Sequence, residues 1–238
     1  MRFPTLLVVF LAFTGTTHAQ TIYVDAQLTT GSGDGTSWTN AYQGENGLQA
    51  ALSSGQNFTE IYATGGRYRT TAGAARGLSF NLAANVQLFG GFLGGESHPD
   101  ERPPLHSNAS ILTGDLLDND VPGDATTLED NAYHVVRASG LGTVAVLDGF
   151  TIRGGNANGF TVFRNDGGGA FVENEAMLTV RNCRFEDLNA RRFGGGAHCL
   201  SATLILLDSH FEGCNAGDRG GAVSSALSSE LRMERCVV

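Results

Sequence analysis

The sequence predicts an all-β chain that folds as a right-handed parallel β-helix, with about 26 residues per coil and a short N-terminal helical cap. Three observations predict this fold: an internal repeat, strand-like alternation inside the repeat, and many glycines beside few prolines. The repeat is marked by Gly-Gly-Ala starting at residues 168, 195 and 220, which are 27 and 25 positions apart. The chain has 238 residues with 33 glycines and 5 prolines, a composition that favours tight turns over disorder.

Aligned copies of the repeat place like residues in the same column. Leu178, Leu204 and Leu231 share one column. The column two positions further on contains Val180, Leu206 and Met233. This period of two indicates a strand with one buried face. We expect successive coils to pair through these strands, ~4.8 Å apart, and to bury their apolar faces against each other.

Corners are predicted on both sides of this strand. Two consecutive polar columns after it indicate a bend before Phe185 and Phe211, which share a later column. Before the strand, alignment on Gly-Gly-Ala predicts an inward column of small residues, made of Ala170, Ala197 and Ala222.

Weaker copies of the pattern precede the repeat. Strands of earlier coils are predicted at 60–63, 86–92, 110–115, 133–136 and 143–152. Apolar residues at helical spacing over 46–53 predict a short helix that Gly55 would end. Because the first coil of a solenoid has unpaired edges, we interpret residues 20–56 as an N-terminal cap and 57–238 as the β-helix.

The first 19 residues are predicted to be a signal peptide. Arg2 is followed by a short apolar run and by Thr17-His18-Ala19, a small-residue cleavage site. We therefore expect a secreted protein, or one at the cell surface or outer membrane, without a transmembrane helix. A nucleic-acid partner is not expected, because the net charge is −9 and no large basic patch is present.

The sequence stops at Val238, inside its third copy of the repeat. This position predicts a β-helix truncated at its C-terminus. An uncapped last coil would expose apolar strand edges, so end-to-end self-association is expected.

The Gly-Gly-Ala and phenylalanine repeats resemble those of the polymorphic outer membrane proteins of chlamydiae, and of secreted bacterial right-handed β-helix proteins. Further motifs in the order usual for the latter group are Asp34-Gly35-Thr36-Ser37-Trp38, Ile111-Leu112-Thr113-Gly114-Asp115 and Leu147-Asp148-Gly149-Phe150-Thr151-Ile152. The family repeat usually has asparagine three residues after the phenylalanine. Here Leu188 and Cys214 occupy those places, so an asparagine ladder is either absent or shifted by one. The resemblance implies a location outside the cell more than it implies a reaction.

The four cysteines are expected to be buried free thiols. Cys183 and Cys236 share a column two coils apart, which at about 9–10 Å is too far for a disulfide. A Cys199–Cys214 bridge is the alternative. Zinc is not expected, because paired Cys/His spacing is absent. His198 and His210 fall on outward positions and are predicted to be surface residues.

Two sets of charged residues are candidate binding sites. Asp118, Asp120 and Glu129 stand at positions one, three and twelve of a calcium-loop-like segment, although Pro122 occupies a ligand position. A solvated acidic loop is the alternative. Arginines precede each Gly-Gly-Ala and could pair with carboxylates of a polyanionic glycan, unless nearby aspartates neutralise them: Arg164, Arg191, Arg192 and Arg219.

We expect a non-catalytic structural or adhesive module that presents its repeat surface to glycans or other surfaces. The alternative is a polysaccharide lyase or glycoside hydrolase of the β-helix type. Such an enzyme needs a basic group near a metal, or two carboxylates about 5–10 Å apart, and no such constellation is evident in the sequence. Catalytic residues are therefore not assigned, and calcium is the one cofactor considered.

Overall fold

The computed structural model describes residues 20–54, 60–121, 124–161 and 163–238. The predicted signal peptide and residues 55–56 of the predicted cap lie outside this part of the chain. The described chain is mostly β, and its sheets are parallel, as the sequence predicts. None of its helices is long and apolar enough to cross a membrane.

The chain contains 21 described strands, most of them short. In chain order they are β1 (Thr21–Asp25), β2 (Tyr42–Gln43), β3 (Glu60–Thr64), β4 (Gly66–Tyr68), β5 (Phe80–Leu82), β6 (Gln87–Phe92), β7 (Ser110–Thr113), β8 (Val136–Ser139), β9 (Val144–Asp148), β10 (Phe150–Arg153), β11 (Asn156–Ala157), β12 (Ala170–Glu173), β13 (Met177–Arg181), β14 (Arg184–Glu186), β15 (Asn189–Ala190), β16 (Ala197–Leu200), β17 (Thr203–Leu207), β18 (His210–Glu212), β19 (Asn215–Ala216), β20 (Val223–Ala226) and β21 (Glu230–Glu234). The described residues also form one α-helix, α1 (Gly47–Ser53), and short 3-10 helices at Trp38–Asn40, Pro99–Glu101 and Ala125–Asp130.

These strands form four sheets, and the neighbouring strands within each sheet run parallel to one another. Sheet 1 has the order β2-β1-β3-β6-β9-β13-β17-β21, and sheet 2 the order β18-β14-β10-β7-β4. Sheet 3 has the order β11-β15-β19, and sheet 4 the order β20-β16-β12-β8-β5. From β12 onwards the chain passes through sheets 4, 1, 2 and 3 in turn and then begins again.

The leucine column is confirmed by the register of sheet 1. Leu178 pairs with Leu204, and Leu204 pairs with Leu231. Within β17 the burial alternates: Leu204 and Leu206 are fully buried, whereas Ile205 between them is half-buried. On sheet 2, Phe185 and Phe211 stack with ring centroids 4.5 Å apart. Like side chains therefore lie on like side chains inside one continuous apolar core.

The bend after the sheet 1 strands has a backbone cause. Gly149, Asn182, Asp208 and Arg235 follow β9, β13, β17 and β21 by the same interval, and each has a positive φ, between 49° and 80°. Glycine, asparagine and aspartate tolerate this left-handed conformation better than other residues do, which explains Gly149, Asn182 and Asp208 at this corner but not Arg235.

The predicted alignment of the third Gly-Gly-Ala is wrong by one residue. Ala197 pairs with Val223, so Ala222 does not continue the column of Ala170 and Ala197. The second copy contains three glycines, Gly194–Gly196, and the pairing of the backbones matches them with Gly220, Gly221 and Ala222. The true intervals are therefore 27 and 26 residues rather than 27 and 25.

The N-terminal region combines a helix with strands. The helix predicted over 46–53 corresponds to α1, which buries Leu48 and Ala51 in the core. Within the segment predicted as a cap, β1 is already part of sheet 1, because it pairs with β3 from Thr21↔Glu60 to Val24↔Ala63.

Candidate functional site

A row of asparagines runs along sheet 3. Asn156 pairs with Asn189, and Asn189 pairs with Asn215. The ladder considered from the sequence is thus present one residue later than in the family pattern. The residues before it turn into the core instead: Leu188 is fully buried, and Cys214 packs against the core cluster.

A cleft of about 500 Å³ lies beside this row and is rich in carboxylates. Its lining consists of Asp115, Asp118, Asp120, Val121, Asp124, Leu128, Arg153, Gly154, Asp187, Asn189, Gly213 and Asn215. Five aspartates and one arginine line it, so an anionic ligand would meet net repulsion there.

A second hollow, of about 390 Å³, adjoins the cleft because both are lined by Asn189. Its other lining residues are Glu129, Asn156, Asn158, Phe160, Ala190 and Arg191. We call the cleft and the hollow together the asparagine groove.

An insertion supplies the exposed aromatic residue of this groove. Asn156 to Ala170 spans 14 positions, whereas the paired interval Asn189 to Ala197 spans 8, so the earlier repeat carries six extra residues. Backbone hydrogen bonding pairs Arg192 with Asn165, which places the extra residues at 159–164. Phe160 in this insertion is 87% exposed, and the Arg191 guanidinium lies 4.3 Å from its ring centroid. A large aromatic ring is thus held open to solvent at the rim.

The carboxylates of the cleft differ in their surroundings. Burial raises the pKa of Asp120 to about 6, and the nearby carboxylates of Asp115 and Asp130 act in the same direction. The pKa of Asp118 is lowered, chiefly by its hydrogen bond from Arg67. The pKa of Asp124 is also lowered, because its side chain accepts hydrogen bonds from the hydroxyl and backbone N–H of Thr126 at the start of a 3-10 helix.

The three residues of the predicted calcium loop have separate partners. Asp118 is ion-paired with Arg67, whose Nη2 lies 2.9 Å from Asp118 Oδ2. Asp120 Oδ2 accepts from Asn131 Nδ2 at 3.0 Å, and Glu129 Oε2 accepts from Asn158 Nδ2 at 3.0 Å. Across the described residues, no three His, Cys, Asp or Glu side chains are grouped closely enough to hold a metal ion.

The four arginines proposed from the sequence also have different partners. Arg192 is ion-paired with the buried Asp166 at 3.1 Å, and Arg219 lies 3.9 Å from Asp218. The guanidinium of Arg164 lies 5.2 Å from the centre of the Tyr133 ring. Of the four, Arg191 alone lines the asparagine groove. Binding of a polyanionic glycan by this set stays a prediction.

The interpretation of His198 as a surface residue is wrong, because it is only 1% exposed. It does point away from the core, but Phe171 and Phe193 cover its ring, with centroids 5.9 and 5.8 Å away.

All four cysteines lie in the described part of the chain and are free thiols. Burial raises the pKa of Cys183 and of Cys214 to about 12, which keeps both thiols protonated.

Comparison with known proteins adds nothing to this description. No protein-family model matches the chain, and neither the curated proteins nor the solved structures contain a significant match.

The sequence did not indicate the groove. Its residues come from segments as far apart as Asp115 and Asn215, and no motif links them. The one available signal was the shift of asparagine to positions 189 and 215, which marked a row of amides at this corner.

Proposed function

We propose that this protein is an exported, non-catalytic β-helix module that binds carbohydrate chains in the asparagine groove. The observation that carries the proposal is the row Asn156–Asn189–Asn215, which has an exposed aromatic ring at its side.

We propose that the four sheets form a right-handed parallel β-helix. Its support is the repeated passage of the chain through sheets 4, 1, 2 and 3 with parallel pairing at each return. Connections between parallel strands of one sheet are right-handed in about 98% of cases. Export is supported by the predicted signal peptide, and a location at the cell surface or outer membrane is part of the same proposal.

The spacing of the row suits a polymeric ligand. Neighbouring strands lie ~4.8 Å apart, close to the length of one sugar residue in an extended polysaccharide. Amide side chains both donate and accept hydrogen bonds, as sugar hydroxyls require. The two neighbouring amides of Asn189 and Asn215 can therefore contact successive residues of one chain. Asn156, which is 7% exposed and whose Nδ2 donates to Leu128 O at 2.7 Å, anchors the buried end of the row.

The side walls complete a site of this type. Phe160 offers a flat apolar face on which a sugar ring can stack. The guanidinium of Arg191 packs against the phenylalanine ring and holds it in place. Carboxylates such as Asp187 supply further acceptors for hydroxyl groups. Because acidic residues predominate in the cleft, we propose a neutral glycan rather than a uronate-rich one.

The test is binding of the protein to a panel of neutral and acidic polysaccharides. Wild type should bind at least one neutral polymer, and Phe160→Ala should weaken binding about 3- to 10-fold through the loss of ring stacking. Leu141→Ala is the matched control, because Leu141 is 83% exposed and is not among the groove-lining residues. It should bind like wild type.

Two results would contradict the proposal. If wild type bound acidic polymers alone, the arginine set would become the better site. Release of reducing ends or unsaturated products from a bound polymer would instead establish the enzyme alternative.

A further inference from the structure

Buried oxygen atoms without hydrogen-bond partners lie around Asp120, a residue that lines the asparagine groove. In the described part of the chain they include Asp120 Oδ1, Asp130 Oδ2 and Asn131 Oδ1. Asn131 is fully buried, with 0% exposure. A buried acceptor without a donor costs free energy, so each such atom requires an explanation.

Hydrogen bonds show that the three side chains are neighbours. Asn131 Nδ2 donates to Asp120 Oδ2 at 3.0 Å, and Asn131 Oδ1 shares a carbon atom with this nitrogen. The unpartnered amide oxygen therefore lies beside the Asp120 carboxylate, which lines the cleft. Asp130 is tied to the same place by Asn119, whose Nδ2 donates to Asp130 Oδ1 at 3.3 Å and which directly precedes Asp120.

The charges around these atoms are unbalanced. The negative charges of Asp115 and Asp130 both repel the negative charge of Asp120. The positive charge of Arg153 attracts it. Both carboxylate oxygens of Asp115 already have hydrogen-bond donors, because they accept from the backbone N–H groups of Asn119 and Asp120. A cation beside Asp120 would satisfy the free oxygens and offset this repulsion.

We propose that Asp120, Asp130 and Asn131 bind a calcium ion. Calcium takes six to eight oxygen ligands and accepts carboxylate, amide and carbonyl oxygens in flexible geometry, with water in the remaining positions. The set has two carboxylates and one amide oxygen. It therefore contains only two Asp or Glu side chains, which agrees with the finding that no three His, Cys, Asp or Glu side chains are grouped among the described residues. Magnesium is a poorer fit, because it needs near-ideal octahedral geometry and keeps most of its waters.

This site differs from the loop predicted from the sequence. It shares Asp120 with that loop, but Asp118 and Glu129 are already paired with Arg67 and Asn158. The proposal is independent of carbohydrate binding, since it concerns the wall of the groove and not the ligand.

The experiment is a calcium titration of chelator-treated protein near neutral pH, followed by calorimetry and by thermal unfolding. Wild type should give heat of binding to one site, and calcium far above Kd should raise Tm by about 5 °C or more. Asp120→Asn and Asp130→Asn should each lose most of this shift. Asp118→Asn and Glu129→Gln are the matched controls and should keep it, and circular dichroism checks that every variant is folded.

The outcomes separate the possibilities. An absence of both heat and Tm shift in wild type would overturn the proposal. Loss of the shift in Asp118→Asn or Glu129→Gln, with the shift kept in Asp130→Asn, would overturn the residue assignment in favour of the sequence-derived loop. If one of the two aspartate variants fails to fold, the wild-type calorimetry and the other aspartate variant still decide.

Discussion

At the scale of single residues, His198 shows how the covering of a side chain changes its chemistry. It occupies an outward position on β16, where alternation alone would leave it exposed. The rings of Phe171 and Phe193 lie against it, and its Nδ1 lies 2.6 Å from Ser224 Oγ. Burial lowers the pKa of His198 from the ordinary value of 6.5, and this effect outweighs the opposing charge of Asp166. Arg192 and His134 also lower it.

This shift predicts a loss of stability in acid. Because the pKa is lower in the folded state, the unfolded chain binds more protons below about pH 6.5, and stability falls as the pH falls through this range. We expect His198→Gln to have a shallower decline of Tm from pH 7.5 to pH 5 than wild type. Burial also lowers the pKa of His106 and of His134, so the slope is reduced and not abolished. Parallel curves for the two proteins would show that His198 is not linked to folding.

At the scale of elements, the corner between sheets 3 and 4 requires glycine for space. A Cβ atom on Gly195 would lie 2.2 Å from the backbone oxygen of Asn215, and one on Gly168 would lie 2.3 Å from that of Asn189. These contacts are with backbone atoms, which cannot rotate away. The glycines before β12 and β16 therefore let the chain pass against the asparagine row of the next repeat.

Gly195→Ala should destabilise the protein by about 1–3 kcal/mol, the usual cost of overpacking. Gly73→Ala is the matched control, because its nearest potential contact is the side chain of Thr71 at 4.0 Å. Its effect should stay within about 0.5 kcal/mol. Urea unfolding of both variants measures the difference. Equal stability of the two would mean that the corner can move aside.

Elements also show why the repeat was easier to predict than its register. Leu204 and Leu206 alternate with half-buried neighbours, so the strand and its column followed from residue types alone. The corner offered three consecutive glycines, Gly194–Gly196, and an alignment by residue type could not choose among them. Pairing of Ala197 with Val223 depends on backbone hydrogen bonds, which have no signature in the side chains.

At the scale of the whole molecule, the parallel sheets could be predicted and the groove could not. The periodic half of the chain repeats a signal three times, whereas the acidic wall of the groove comes from a non-periodic segment that includes Asp115 and Asp120. Its position beside Asn189 depends on how successive repeats stack, a long-range effect. The sequence could not predict that oxygen atoms of Asp130 and Asn131 are buried without hydrogen-bond partners, because this depends on the residues packed around them in the fold.

The most direct test of the account measures the affinity of the best-bound neutral oligosaccharide for wild type, Asn189→Ala and Asn81→Ala. Asn189 is the middle amide of the row and lines both parts of the groove, whereas Asn81 is an exposed residue on β5 in sheet 4. Loss of hydrogen bonds from the middle amide should lower affinity about 2- to 10-fold in Asn189→Ala, with Asn81→Ala equal to wild type. Unchanged affinity in Asn189→Ala would contradict the claim that the asparagine row is the binding surface.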